Sequence, residues 1–396
     1  MINMNNIWSD NKYINAAVNV LFFLMGINFL HYGQLILPVI CFLLFIDRKL
    51  KFEVGSPLTF VVLCLFAVSF YAFSEKNFYS VMGFTLPMAY YIGCNIRYPS
   101  EENLKKLLYL LGISMSFHVI ANSIFEYIVH GPHGFFFSTT HYDFWTREKI
   151  SNTATAINID FLLGAIYYLL FHEKDRKFRI FALIVFSLSM FYLLVIGRRT
   201  PVMMLLLCFG FSFVYEAFIL KSASENLKKA FCLLMAMGFG FVLLMVLAYT
   251  LNVFNCREIL MELHVFRKFT DGFINDERFR LLFGAIKLMP EHLFGRQEIS
   301  AILGEQVHDF WVDIYDYAGI VSWALMLVYS FLFVKDVMRF YRCERIQNDF
   351  KIYMTGILTI IVVQMFLEPV MTGASLFAIC GIITHGLTER LTLYEQ

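Results

Sequence analysis

Apolar residues in this chain come in long unbroken runs, not in the period-2 or period-3.6 alternation of elements with one face in water. Runs with at most one charged residue cover 13–29, 33–46, 58–74, 78–96, 107–128, 153–171, 180–196, 201–220, 230–251, 317–334, 352–369 and 371–388. Many approach the roughly 20 residues that carry a helix across the hydrocarbon core of a bilayer. The pattern predicts an all-α, polytopic integral membrane protein with about twelve transmembrane helices. The first run follows Asn and Asp, not a basic stretch, and no small-residue cleavage site comes after it, so it reads as a retained span. There is no internal repeat and no low-complexity tract, which predicts a single membrane domain over 1–396.

Two polar segments interrupt the pattern: 129–152, with Gly131, Pro132 and Gly134, and the longer 252–316. A segment of the second length usually has structure of its own. Within it, 278–293 carries Phe279, Leu282, Phe283, Ile286 and Met289 at helical spacing, predicting an amphipathic helix near the membrane surface that stops at Pro290.

Lys and Arg set the orientation, since short loops rich in them stay cytoplasmic. With the N-terminus inside, the inner segments hold 20 Lys and Arg against five in the short outer loops. This places both termini in the cytoplasm and 252–316 outside as one large outer loop.

Composition sharpens the picture. The chain of 396 residues is 59% apolar and 16% charged, with a mean hydropathy of +0.64, against about 25% charge in soluble domains. An ordinary soluble enzyme is excluded, and a net charge of +1 argues for no nucleic-acid partner. Six of the eight cysteines lie inside apolar runs, where a thiol acts as a small hydrophobe; only Cys256 and Cys343 do not, so no disulfide framework is expected.

Candidate chemistry concentrates at run boundaries. Gly197-Arg198-Arg199-Thr200-Pro201 is wedged between two runs. Two guanidinium groups there suit a phosphate clamp, since their forks match phosphate oxygens bidentately, or they snorkel to lipid headgroups. Pro201 fits the first turn of a helix whose free N–H groups would favour the same anion. Arg278 and Arg280 lie in Asp276-Glu277-Arg278-Phe279-Arg280, which also reads as a solvated helix start. His308, Asp309 and Asp313 lie in a stretch from Val307 to Gly319 that enters a span. An imidazole there suits a general base, or an interfacial His within an aromatic belt of Trp311 and Tyr315. Glu368, before Pro369, is an ionisable group near a span end and a candidate by that fact alone. Asn158 and Asp160 lie just inside another span. His130, His133 and His141 with Asp143 match no zinc spacing, so no metal site is expected. There is no Walker, Rossmann or zincin motif.

These segments resemble, by order and context, the superfamily of O-antigen polymerases and O-antigen ligases. Ser151-Asn152-Thr153-Ala154-Thr155-Ala156 is similar to the family's Thr-Ala-Thr-Gly stretch, and Gly197-Arg198-Arg199-Thr200 to its Ser/Thr-Arg signature after a span. The segment 278–295, ending Pro290-Glu291-His292-Leu293-Phe294-Gly295, resembles its Arg…Pro-Leu-x-Gly segment. His308-Asp309-Phe310-Trp311-Val312-Asp313 with Gly319-Ile320 resembles His-Asn-x-Phe-Leu-Asp…Gly-Ile. Together they cover about 150–330. Asp309 departs from the usual Asn and Phe294 from the usual Leu, and the first five spans share only hydropathy with the family.

The resemblance implies a glycosyltransferase without cofactor or obligatory metal, on the outer face of the bacterial inner membrane. It would act on glycans linked to undecaprenyl diphosphate, among membrane lipids and beside a chain-length regulator protein. Arg198, Arg199, Arg278 and Arg280 would hold the donor diphosphate. His308 would take the acceptor's proton, with Asp309 or Asp313 orienting it or acting as the base. A polymerase is the preferred expectation, for O-antigen or capsular polysaccharide. The alternatives are a ligase moving the finished glycan to a lipid A core, and a flippase or transporter of the lipid-linked glycan. Against the last, no broken-helix pair recurs in corresponding halves.

Overall fold

The computed structural model describes residues 12–75, 78–96, 100–137, 141–150, 152–255, 277–307, 309–368 and 370–393. It is 80% helical with almost no strand, so the all-α expectation holds. The chain begins with α1 (Lys12–Gly26), α2 (Leu37–Asp47), α3 (Pro57–Phe73), α4 (Phe78–Met82), α5 (Thr85–Asn95) and α6 (Glu101–Phe137). A two-strand antiparallel hairpin follows, β1 (His141–Tyr142) and β2 (Lys149–Ile150), with His141 opposite Ile150. Next come α7 (Asn152–Ile157), α8 (Asp160–Gly164), α9 (Ile166–Phe171), α10 (Arg176–Val195), α11 (Thr200–Val214) and α12 (Glu225–Thr250). The last group is α13 (Glu277–Leu288), α14 (Glu298–Leu303), α15 (Phe310–Arg342), α16 (Asn348–Leu367), α17 (Val370–Gly373) and α18 (Ser375–Leu393).

Among the described residues six helices are long and apolar enough to cross a membrane: Glu101–Pro132, Arg176–Val195, Thr200–Ile219, Phe310–Arg342, Asn348–Leu367 and Ser375–Leu393. Other runs behave differently. Lys12–Gly26, Gly33–Asp47 and Pro57–Phe73 are apolar helices of 10–17 residues. The run 78–96 is divided between α4 and α5, and 153–171 among α7, α8 and α9. Helices suit a bilayer because each satisfies its own backbone N–H and C=O groups. Caps settle where several begin. Ser56 Oγ accepts from Thr59 N at 3.2 Å ahead of Pro57, and Asp175 Oδ1 accepts from Lys177 N and Phe178 N ahead of α10.

The chain divides into two compact units. One comprises Met1–Met115, Glu277–Lys351 and Ile361–Gln396. At its centre α5 crosses α18, and α3 and α15 pack beside them. The crossing is backbone on backbone: a Cβ on Gly93 would lie 2.2 Å from Ile383 O, and one on Gly386 2.6 Å from Tyr90 O. Lipid supplies no hydrophobic drive between helices, so small residues that allow such approach, with a few buried polar contacts, hold them together. Ser69 Oγ and Ser322 Oγ, 2.9 Å apart, tie α3 to α15 in this way.

The other unit comprises Ser116–Asp276 and Ile352–Ile360. Here α8 is wholly buried and packs on α11. Outward faces of α10 and α11 carry exposed Ile184, Leu188, Phe191, Leu206 and Phe211. A face of that kind is a hazard in water and a requirement in lipid.

Candidate functional site

In the second unit Arg198 and Arg199 form the tight turn between α10 and α11, after Gly197 at φ 75°. Both are partly buried, and Thr200 and Pro201 open α11 as the local pattern demands. An Arg198 guanidinium N–H donates to Thr153 Oγ1 at the start of α7. Asn152 Nδ2 donates to Ile196 O at 3.5 Å. The arginine turn and the Asn152-Thr153 stretch, 45 residues apart in sequence, are thus one local structure.

The same unit holds a group that sequence reasoning missed. His118, Asn122, Glu126 and His130 recur every fourth residue of α6, so they share one face of the helix. They receive the segment 141–150. His118 Nε2 lies 2.8 Å from Asp143 Oδ2. Asn122 Oδ1 accepts from Phe144 N at 2.8 Å, Glu126 accepts from Tyr142 N, and His130 Nε2 lies 3.5 Å from Glu126 Oε2. Asp143 Oδ1 also accepts from Trp145 N and Thr146 N. Burial alone would raise the Asp143 carboxyl. The hydrogen bond and charge of His118, with the two N–H groups, outweigh it and hold the carboxyl below its ordinary range. Asn158 Nδ2 lies 3.4 Å from His118 Nδ1. The signal was available: four polar residues at a spacing of four, in and just after the run 107–128. His130 thus lies beside Glu126 and Asp143 beside His118, and His141 turns its ring edge-on to Tyr192.

In the first unit Arg278 and Arg280 lie at the start of α13, with Arg280 exposed. The stripe residues of α13 divide between protein and surroundings. Leu281 and Ala285 are buried, whereas Phe283 and Ile286 are exposed, because α13 packs against its own neighbours. Ala285 joins Ile299, Val307, Val312 and Tyr315 in a small core, with Leu282, Leu288 and Met289 at its edge. The helix ends at Leu288, just ahead of Pro290, as expected. Arg257, Arg267 and Lys268 of the 252–316 segment fall outside the described residues.

His308 also lies outside the described residues; its sequence neighbours lie within them. Asp309 is the N-cap of α15, its Oδ1 accepting from Val312 N at 2.9 Å. Burial pushes its carboxyl up, and the N–H groups of Val312 and Trp311 oppose that. Asp313 Oδ1 accepts from Gln306 Nε2 at 2.8 Å. Asp316 accepts from Ile299 N, Ser300 N and the Ser300 hydroxyl, capping α14. Each described carboxylate of the 307–319 stretch therefore orders the backbone or side chains around it.

Beyond them α15 breaks at Gly319, with φ 73° and ψ −173°. Ile320 N donates to Leu293 O at 3.0 Å, Arg296 N to Tyr317 O at 3.2 Å and Gln297 N to Asp316 O at 2.7 Å. The 293–297 turn and the break in α15 are thereby joined backbone to backbone. Glu368, the C-cap of α16, is buried, and its C=O accepts from Val370 N at 2.8 Å. An apolar cavity of about 420 Å³, lined among others by Phe42, Phe45, Phe60, Phe84 and Met88, offers no charge to a phosphate.

The seven described cysteines are free thiols. Among the described residues one set of metal-ligating side chains converges, Asp336, His385 and Glu389. Asp336 lies 17 residues past Gly319 on α15, about 26 Å at 1.5 Å per residue. No protein-family model matches the chain, and no curated protein matches it.

Proposed function

We propose that this protein is a polysaccharide polymerase of the bacterial inner membrane. It moves a glycan from undecaprenyl diphosphate to a hydroxyl of a second lipid-linked repeat unit. In this reading about twelve spans place both termini in the cytoplasm and 252–316 outside. One observation supports it above the others. The four segments that carry the family resemblance meet two by two: Gly197-Arg198-Arg199-Thr200 with Asn152-Thr153, and Leu293 to Gln297 with Asp316 to Ile320. Unrelated runs of similar letters would have no reason to pair in this way.

The chemistry follows from the groups. The acceptor oxygen bonds to the anomeric carbon, the bond from that carbon to the diphosphate oxygen breaks, and undecaprenyl diphosphate leaves with the electron pair. The resemblance assigns Arg198 and Arg199, and separately Arg278 and Arg280, to the diphosphate. Its negative charge grows as it leaves, so fixed guanidinium groups stabilise the transition state more than the bound donor. His308 takes the acceptor's proton. Asp309 and Asp313, occupied with Val312 N and Gln306, hold the start of α15.

Arg199→Ala and Arg278→Ala should abolish glycan lengthening while the protein still accumulates in the membrane. Lys at either position should rescue poorly, lacking the bidentate fork. Normal polymer from Arg199→Ala cells at wild-type protein level would overturn the reading. Turnover by purified protein on a lipid-linked repeat, with a lipid A core acceptor in parallel, distinguishes polymerase from ligase, and absence of turnover on both points to a transporter.

A further inference from the structure

Asp336, His385 and Glu389 sit on α15 and α18, which pack together. His385 and Glu389 are four residues apart and so share one face of α18. The three are almost fully buried, at 3%, 0% and 1% exposure. One ligand atom from each lies within 4.8 Å of the others. His385 Nε2 and Asp336 Oδ2 are 3.2 Å apart, close to the ~3.3 Å edge of a tetrahedron with 2.0 Å metal bonds.

The surroundings orient these groups as a metal's outer partners do. Tyr329 Oη lies 3.1 Å from His385 Nδ1, leaving Nε2 for the cluster. The Tyr90 hydroxyl donates to Glu389, and Phe333 meets the imidazole edge-on at 5.0 Å. Arg339 reaches Asp336 Oδ1 at 3.2 Å, but its side chain is 51% exposed, so water screens much of its charge. Two carboxylates and an imidazole therefore face one another in a nearly dry space, an arrangement that is costly unless a cation answers it.

We propose that Asp336, His385 and Glu389 bind a divalent cation of the zinc and manganese class, joining α15 to α18 near the end of the bundle that carries Arg339, Arg342 and Arg345. One nitrogen and two carboxylate oxygens are the donor set such ions take. Three protein ligands leave a position for water. The ion's role is to hold two helices together, so its presence or absence leaves the diphosphate-binding reading where it stands.

The test uses full-length protein purified in detergent with a tag free of histidine and stripped by chelator. Titration with Co²⁺ should give the visible absorption of a four-coordinate site, displaced by one equivalent of Zn²⁺, and elemental analysis should find one metal per chain after Zn²⁺ loading. His385→Ala and Glu389→Gln should each weaken Co²⁺ binding at least ~10-fold. Glu389→Gln keeps shape and volume, so it reports on ligation even where His385→Ala fails to fold. Wild-type protein that takes up neither ion would overturn the proposal. Uptake unchanged by Glu389→Gln, or abolished by His292→Ala instead, would do so as well.

Discussion

Replacing Gly319 by alanine is the sharpest test of how the 277–320 region is built. At φ 73° and ψ −173° the residue occupies a part of backbone space open essentially only to glycine, where another residue costs about 1–3 kcal/mol. A Cβ would stand 2.4 Å from Leu293 O and 2.8 Å from Phe294 C, and backbone atoms cannot rotate away as a flexible side chain can. Relief requires parting the 293–297 turn from α15, which endangers three backbone hydrogen bonds worth about 1 kcal/mol each. The expected loss is between about 2 and 6 kcal/mol for that contact. The assay is equilibrium unfolding in mixed detergent micelles, with limited proteolysis of 289–307 as a local probe. Gly210→Ala serves as the control, since it is helical and a Cβ there meets nothing within 4 Å; it should be neutral or stabilising by up to about 1 kcal/mol. The reasoning is refuted if Gly319→Ala unfolds within about 0.5 kcal/mol of wild type and resists protease equally.

Three further expectations concern other parts of the molecule. In intact cells carrying an otherwise cysteine-free variant, an impermeant thiol reagent should label Lys287→Cys and spare Arg345→Cys; the reverse pattern inverts the topology. Asp309→Ala should lose about 0.5–2 kcal/mol of stability as a deleted N-cap, whereas Asp309→Asn, which still caps, should keep both fold and transfer rate; a folded but inactive Asn variant would make Asp309 the base. Because the folded protein holds the Asp143 carboxyl below its ordinary value of 3.8, it stabilises the attachment of 141–150 to α6 fully above that value, and the stabilisation is lost as pH falls through the lowered one. Proteolysis of that segment should therefore rise only in acid, and Asp143→Asn should flatten the profile; equal profiles for both proteins would disprove the linkage.

Much of the architecture is legible in the chain because the free energy of placing a residue in hydrocarbon adds up locally. The long runs at 180–196 and 201–220 return as α10 and α11, and the pattern needs no knowledge of neighbours. The start of α11 was legible at Pro201, whose fixed φ and missing N–H suit a first turn. The runs 78–96 and 153–171 look the same by hydropathy, yet tertiary packing breaks them. In α8 every residue is buried, so its surroundings are protein, and length no longer has to match a bilayer.

Rotation and partnership were decided only by the tertiary structure. At α13 Leu282 and Met289 of the stripe pack at the edge of a small core, Phe283 and Ile286 stay exposed, and Leu281 and Ala285, off the stripe, are buried. Only docking on Ile299, Val307 and Tyr315 chooses among them. Asp309 reads as chemistry in the sequence and serves as a cap in the structure, since a cap is visible only once the helix it closes is placed. The pairings of His118 with Asp143, and of Asp336 with His385, join residues 25 and 49 positions apart. Sequence alone determined that these ionisable groups lie in or beside apolar runs, where they must find partners. Which partner each finds depends on helix crossings such as Gly93 on Gly386, where van der Waals contact between distant backbones sets the register.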